Sequence, residues 1–152
     1  MSKKIFFFLL LAGMFFPGWA RAGAGEIRWV SYPEGITRAA QADRPALVLF
    51  YSRSCRVCGV LEKKVFSNPE IAGYINTNLI PIRVDISRAE DLVKRYRIFG
   101  SPTIYFLKSD STPIDFIAGY VEPDRFSNII HYVGDGIYGK MNYEEYLRKN
   151  GK

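Results

Sequence analysis

Cys55 and Cys58, the only cysteines of the chain, constrain its fold more than any other feature, because two different kinds of local structure meet there. Before them runs Ala46-Leu47-Val48-Leu49-Phe50-Tyr51, a continuous apolar stretch of the kind a central strand needs when both its faces are buried. After them runs Val60-Leu61-Glu62-Lys63-Lys64-Val65-Phe66, which reads as a helix. The dithiol therefore opens a helix directly after a strand. A helix start leaves backbone N–H groups unpaired and carries partial positive charge. A sulfur at that point is held more readily as thiolate, the reactive form. On this reading Cys55 attacks, and Cys58, one turn on along the same face, resolves. Arg53 and Arg56 flank Cys55 and are expected to lower its pKa further.

Two plainer readings are weaker. A structural disulfide closing so short a loop constrains the unfolded chain by only about 2 kcal/mol. A structural zinc needs four ligands, and the chain offers two cysteines and one distant histidine, His131. Neither a metal nor a cofactor is expected.

The N-terminus reads as a secretory signal peptide over residues 1–22. Lys3 and Lys4 precede a mostly apolar run from Ile5 to Phe16, Pro17-Gly18 breaks it, and Ala20-Arg21-Ala22 fits a cleavage site. The run is short for a membrane span. Without the basic residues of that segment the rest carries 18 basic against 15 acidic residues, net +3. That ordinary balance argues against a nucleic-acid footprint. The expected location is periplasmic or secreted, where a dithiol stays reduced only if something keeps it so.

Along the mature chain, Glu26–Val30 alternates like an edge strand, and Ile36–Ala42 reads as a short helix. A helix from Cys55 to about Phe66 follows the apolar strand. Ser67-Asn68-Pro69-Glu70 starts another, to about Asn76. Leu79–Ile86 is the next strand, and Ser87-Arg88-Ala89-Glu90 reads as a capping box before Leu92, Val93 and Tyr96. Thr103–Leu107 and Pro113–Ile117 read as a hairpin, Glu122–Val133 as a helix, and Asn142 as the cap of a short last helix. Early strands alternating with helices should be parallel and the last two antiparallel. This is an α/β fold, a mixed central sheet flanked by helices. The expected domain covers 23–135, with a C-terminal tail at 136–152.

These residues resemble the thioredoxin superfamily, on Cys55-x-x-Cys58 after a buried strand, on Gly100-Ser101-Pro102-Thr103 before a later strand, and on Gly119 after the next. The likeness spans about residues 26–133. Glu62–Glu70 further resembles the segment after the dithiol in the C-terminal domain of transmembrane thiol–disulfide interchange reductases. The resemblance implies a thioredoxin fold and a cis Pro102 facing the dithiol, so that Ser101, Pro102 and Thr103 form the substrate-binding segment. Many thioredoxins carry a buried aspartate six residues before the first cysteine. Here that position is Leu49, which accepts no proton. Glu62, on the helical face of both cysteines, is the expected substitute proton acceptor if it is partly buried; the competing reading is a solvated glutamate paired with a lysine.

The function expected is exported thiol–disulfide exchange with client proteins, in the reducing direction, by a monomer recharged by a membrane-bound thiol–disulfide reductase. The alternatives are a redox-inactive peptide-binding module and a disulfide oxidase or isomerase. His131 and most of the tyrosines and phenylalanines read as packing. Tyr51 and Phe99 are expected to frame the site.

Overall fold

The computed structural model describes residues 25–150, so the expected signal peptide and its cleavage point lie outside the described residues. Four strands, β1 (Ala46–Tyr51), β2 (Ile80–Asp85), β3 (Thr103–Leu107) and β4 (Pro113–Ala118), form one sheet in the order β2-β1-β3-β4. β1 and β2 are parallel; β3 is antiparallel to both β1 and β4. The parallel early pair and the closing hairpin are those the connection lengths require.

β1 alternates its side chains between two cores. Leu47 and Leu49 pack with Leu61, Val65, Phe66, Ile75, Ile104, Phe106 and Phe126. Ala46, Val48 and Phe50 pack with Ile82, Val84, Tyr96 and Ile98. Helices α2 (Arg56–Leu61), α3 (Pro69–Asn78) and α5 (Pro123–Gly134) cover the first face. Helices α1 (Tyr32–Ala42) and α4 (Glu90–Arg95) lie on the second. A strand apolar at every position is the local requirement for this burial.

Several boundaries differ from the sequence reading. Glu26–Val30 is not a strand; only Val30 bridges to Ile82, donating to the Pro81 carbonyl and accepting from Arg83 N–H. Those bonds put the Pro81 nitrogen on the outer side of β2, where its missing N–H costs the β1–β2 ladder nothing. α1 starts at Tyr32 instead of Ile36, with Pro33 in its first turn. Gly35 is the reason: a β-carbon there would strike the Ile82 side chain, so glycine lets this first turn seat on β2. Ser87 does not cap α4. Its N–H and hydroxyl both donate to Asp85, and Ala89 stands at the helix start. The polar pairing across two residues outcompetes the longer reach of a capping box.

The helix expected from Cys55 to Phe66 is two pieces. α2 ends at Leu61 and a π-helical turn continues over Glu62–Phe66, closed by Ser67 N–H to the Glu62 carbonyl at 2.9 Å. The wider turn accommodates two consecutive buried residues, Val65 and Phe66. α3 runs on to Asn78, its start capped by Asn68, which accepts from Glu70 and Ile71 N–H.

The tail docks. A 3₁₀ turn (Ile137–Gly139) leads to α6 (Tyr143–Lys149), capped by Asn142. Tyr132 of α5 donates to the Met141 carbonyl at 2.8 Å, and its ring meets those of Tyr143 and Tyr146. Among the described residues no helix is long and apolar enough to cross a membrane.

Candidate functional site

The dithiol sits at the C-terminal end of β1, where the strand hands over to α2. Cys55 is the residue just before α2, extended in backbone, and its Sγ accepts from the Cys58 N–H at 3.1 Å. A sulfur in the position of a capping oxygen places a helix-start donor directly on it. The two cysteines are joined as a disulfide, with Cα atoms 5.3 Å apart, and both are half-buried. The pair is therefore reachable by a second sulfur.

The loop before β3 closes the site from the other side. The Ser101 carbonyl oxygen lies 3.2 Å from Cys55 Sγ. The Ser101–Pro102 peptide bond is cis. Thr103 is buried and its hydroxyl donates to the Gly100 carbonyl at 2.8 Å, which ties the loop to the strand start. The Pro102 carbonyl accepts from Gly119 N–H at 2.8 Å. Gly119 sits at φ +86, a backbone conformation glycine adopts without strain. Two segments distant in sequence thus meet at one sulfur, and a third, at Gly119, braces the loop that reaches it.

The charged residues arrange themselves less simply than their spacing suggests. Arg53 is mostly exposed and its Nε lies 3.5 Å from Asp85 Oδ2, so part of its charge is spent on that carboxylate. The Ser87 hydroxyl and N–H, with Arg53 and Arg88 nearby, hold Asp85 below the usual carboxylate range. Arg56, in the first turn of α2, is exposed and forms no ion pair with the other described residues.

Glu62 follows Cys58 by one turn, its N–H bonded to the Cys58 carbonyl. Its carboxylate is 44% exposed and faces across to β2, 3.7 Å from Arg83 Nη2. Its partner is thus an arginine of the sheet, not a lysine of its own helix. The Arg83 guanidinium lies 4.2 Å from the Tyr51 ring centroid. That stacking holds a planar cation well. Arg83 is also the β2 neighbour of Leu49, the position left without a carboxylate.

Arg83 and Asp85 are the site residues that the sequence reading missed. Both alternate with the buried Ile82 and Val84 along β2, a signal present in the chain. What the chain alone does not show is the register that sets Arg83 beside Leu49 and Asp85 beside Tyr51. His131 packs as expected, its ring 3.9 Å from that of Tyr74 and its Nδ1 at 2.7 Å from the Ser127 carbonyl.

A thioredoxin-like domain model matches residues 32–134. Among curated proteins, the thiol:disulfide interchange protein DsbD of Salmonella typhimurium is 29% identical over 93 residues, covering 58% of this chain but 16% of that protein. The chain spans less than a fifth of the length of such relatives. Among solved structures, a thioredoxin from Thermus thermophilus superposes with TM-score 0.68 at 24% identity, covering 76% of this chain and 94% of that one. The oxidised C-terminal domain of Neisseria meningitidis DsbD superposes with TM-score 0.57 at 19% identity, over 69% and 98%. These two likenesses speak to the fold.

Proposed function

Because the chain belongs to the thioredoxin-like domain family, we propose that it is an exported thiol–disulfide oxidoreductase that reduces disulfides in client proteins. The observation that carries the reading is the half-exposed Cys55–Cys58 pair facing the Ser101 carbonyl across 3.2 Å. Reduced Cys55 attacks one sulfur of the client disulfide. The client S–S bond breaks, a Cys55–client disulfide forms, and one client thiolate leaves. Cys58 loses its proton and attacks the Cys55 sulfur. The second client thiolate leaves, and two electrons have passed to the client.

Glu62 is the acceptor of the Cys58 proton in this scheme, with Arg83 holding its carboxylate. Its support is position, one turn from Cys58, and partial burial. Glu62→Gln is expected to slow the second step by about 100-fold, at the low end of general-base contributions, and to leave the first attack intact. Stopped-flow release of a fluorescent client from the mixed disulfide, followed against pH, checks this. A rate and pH profile like those of the wild type would remove Glu62 from the mechanism.

The oxidised product needs a dithiol donor. We assign that role to a membrane-bound thiol–disulfide reductase, the class of protein that the DsbD likeness suggests. Export rests on the basic start, apolar run and small-residue site of residues 1–22.

Cys58→Ser is the direct test of the reaction. The variant is expected to accumulate mixed disulfides through Cys55 with exported proteins, seen as adducts that dithiothreitol dissolves. No adducts, with peptide affinity surviving loss of both sulfurs, would leave a binding module instead. The reduction potential decides direction: a value near about −270 mV fits a reductant, and one near about −120 mV an oxidant.

A further inference from the structure

A groove of about 480 Å³ opens beside the cis peptide bond, and its far wall has no role in the exchange steps above. Its walls include Arg97, Phe99, Tyr105 and Phe116, and Ser101 and Pro102 line the end nearest the sulfur. Ser101 joins the two places: it lines the groove, and its carbonyl lies 3.2 Å from Cys55 Sγ. It lies on the face of the sheet that carries α1 and α4, because Tyr105 packs in that core and Phe116 stacks on Tyr105 with centroids 5.2 Å apart.

Phe99 is 97% exposed and Phe116 is 54% exposed. Leaving two rings in water beside one cleft forgoes burial that each would gain inside the fold, and such patches mark contact surfaces. β4, which carries Phe116, is a sheet edge with one side of its backbone unpaired. Arg97, held at φ +51, forms no ion pair with the other described residues. The groove's one charge is therefore positive and uncompensated.

We propose that this groove is a client subsite for an extended segment carrying a large apolar side chain and an acidic one. The apolar side chain seats between Phe99 and Phe116, and the carboxylate meets Arg97. The segment lies along the free edge of β4 while its disulfide reaches Cys55. The assignment rests on the exchange reaction proposed above and adds the class of client that reaction selects.

The test uses two synthetic peptide disulfides of equal length, one with Phe and Asp flanking its cysteine and one with Ser and Lys. The readout is the ratio of their kcat/KM values, which cancels any loss of folded protein. For the wild type a preference on the order of tenfold for the Phe/Asp peptide is expected, the size that one buried ring and one exposed ion pair supply. Arg97→Glu is expected to bring the ratio to about one or below, and Phe99→Ser to reduce it severalfold, as loss of the charge pair and of one ring wall respectively requires. A wild-type ratio near one, or a ratio that neither variant changes, overturns the subsite. If neither peptide is reduced, the exchange reaction fails. The subsite is then judged by fluorescence anisotropy of the two alkylated peptides on the doubly substituted Cys55→Ser, Cys58→Ser protein, where equal affinities overturn it. Dimerisation in sedimentation equilibrium that Arg97→Glu abolishes would give the groove to a second copy of the chain and overturn the client assignment.

Discussion

Cys55→Ser is expected to abolish disulfide reduction, by at least about three orders of magnitude, while the fold stays intact. A hydroxyl at this position keeps its proton near neutral pH and forms no exchangeable bond with sulfur. The N–H of Cys58, now directed at Sγ, still finds an oxygen to cap, so α2 keeps its start. Turnover of a peptide disulfide and the far-ultraviolet circular dichroism spectrum, taken together, check this. A folded variant that retains more than a few per cent of the rate would show that Cys55 is not the attacking sulfur. The Ser101 carbonyl lies against Cys55 Sγ, at the end of the groove proposed above for the client.

Phe126→Ala is expected to destabilise the protein by about 3–5 kcal/mol, the usual cost of emptying a buried aromatic site. Phe126 is fully buried, and its ring meets that of Phe66 edge-on with centroids 5.7 Å apart. Phe66 in turn meets Trp29 at 5.3 Å. The void would open beneath the π turn that carries Glu62, between α5 and the sheet. Urea unfolding followed by tryptophan fluorescence measures the loss. A change below about 1 kcal/mol would mean that neighbouring side chains collapse into the space, against the close packing assigned here.

The strands were the legible part of the fold. β1 is apolar at every position because it is buried on both faces, and continuous burial leaves no other pattern available. The β3–β4 hairpin followed from the short polar link between two apolar runs. Local polarity misled at Ser87, where a capping spacing existed but Asp85 lay nearer. It misled at Glu26–Val30, where alternation is present but only Val30 reaches β2. The helix read from Ile36 begins instead at Tyr32, where Gly35 lets its first turn sit against Ile82.

The dithiol was legible because its chemistry needs only neighbours in the chain: a strand before it, a helix start after it, and two sulfurs one turn apart. Its surroundings were not. The pairing of Glu62 with Arg83, the use of Arg53 on Asp85, and the cleft between Phe99 and Phe116 each join residues from different elements. Periodicity along a chain reports which side of an element faces inward; it carries no information on strand register or on which helix crosses above. Those follow from how the two cores close around β1, and only the packed molecule contains them.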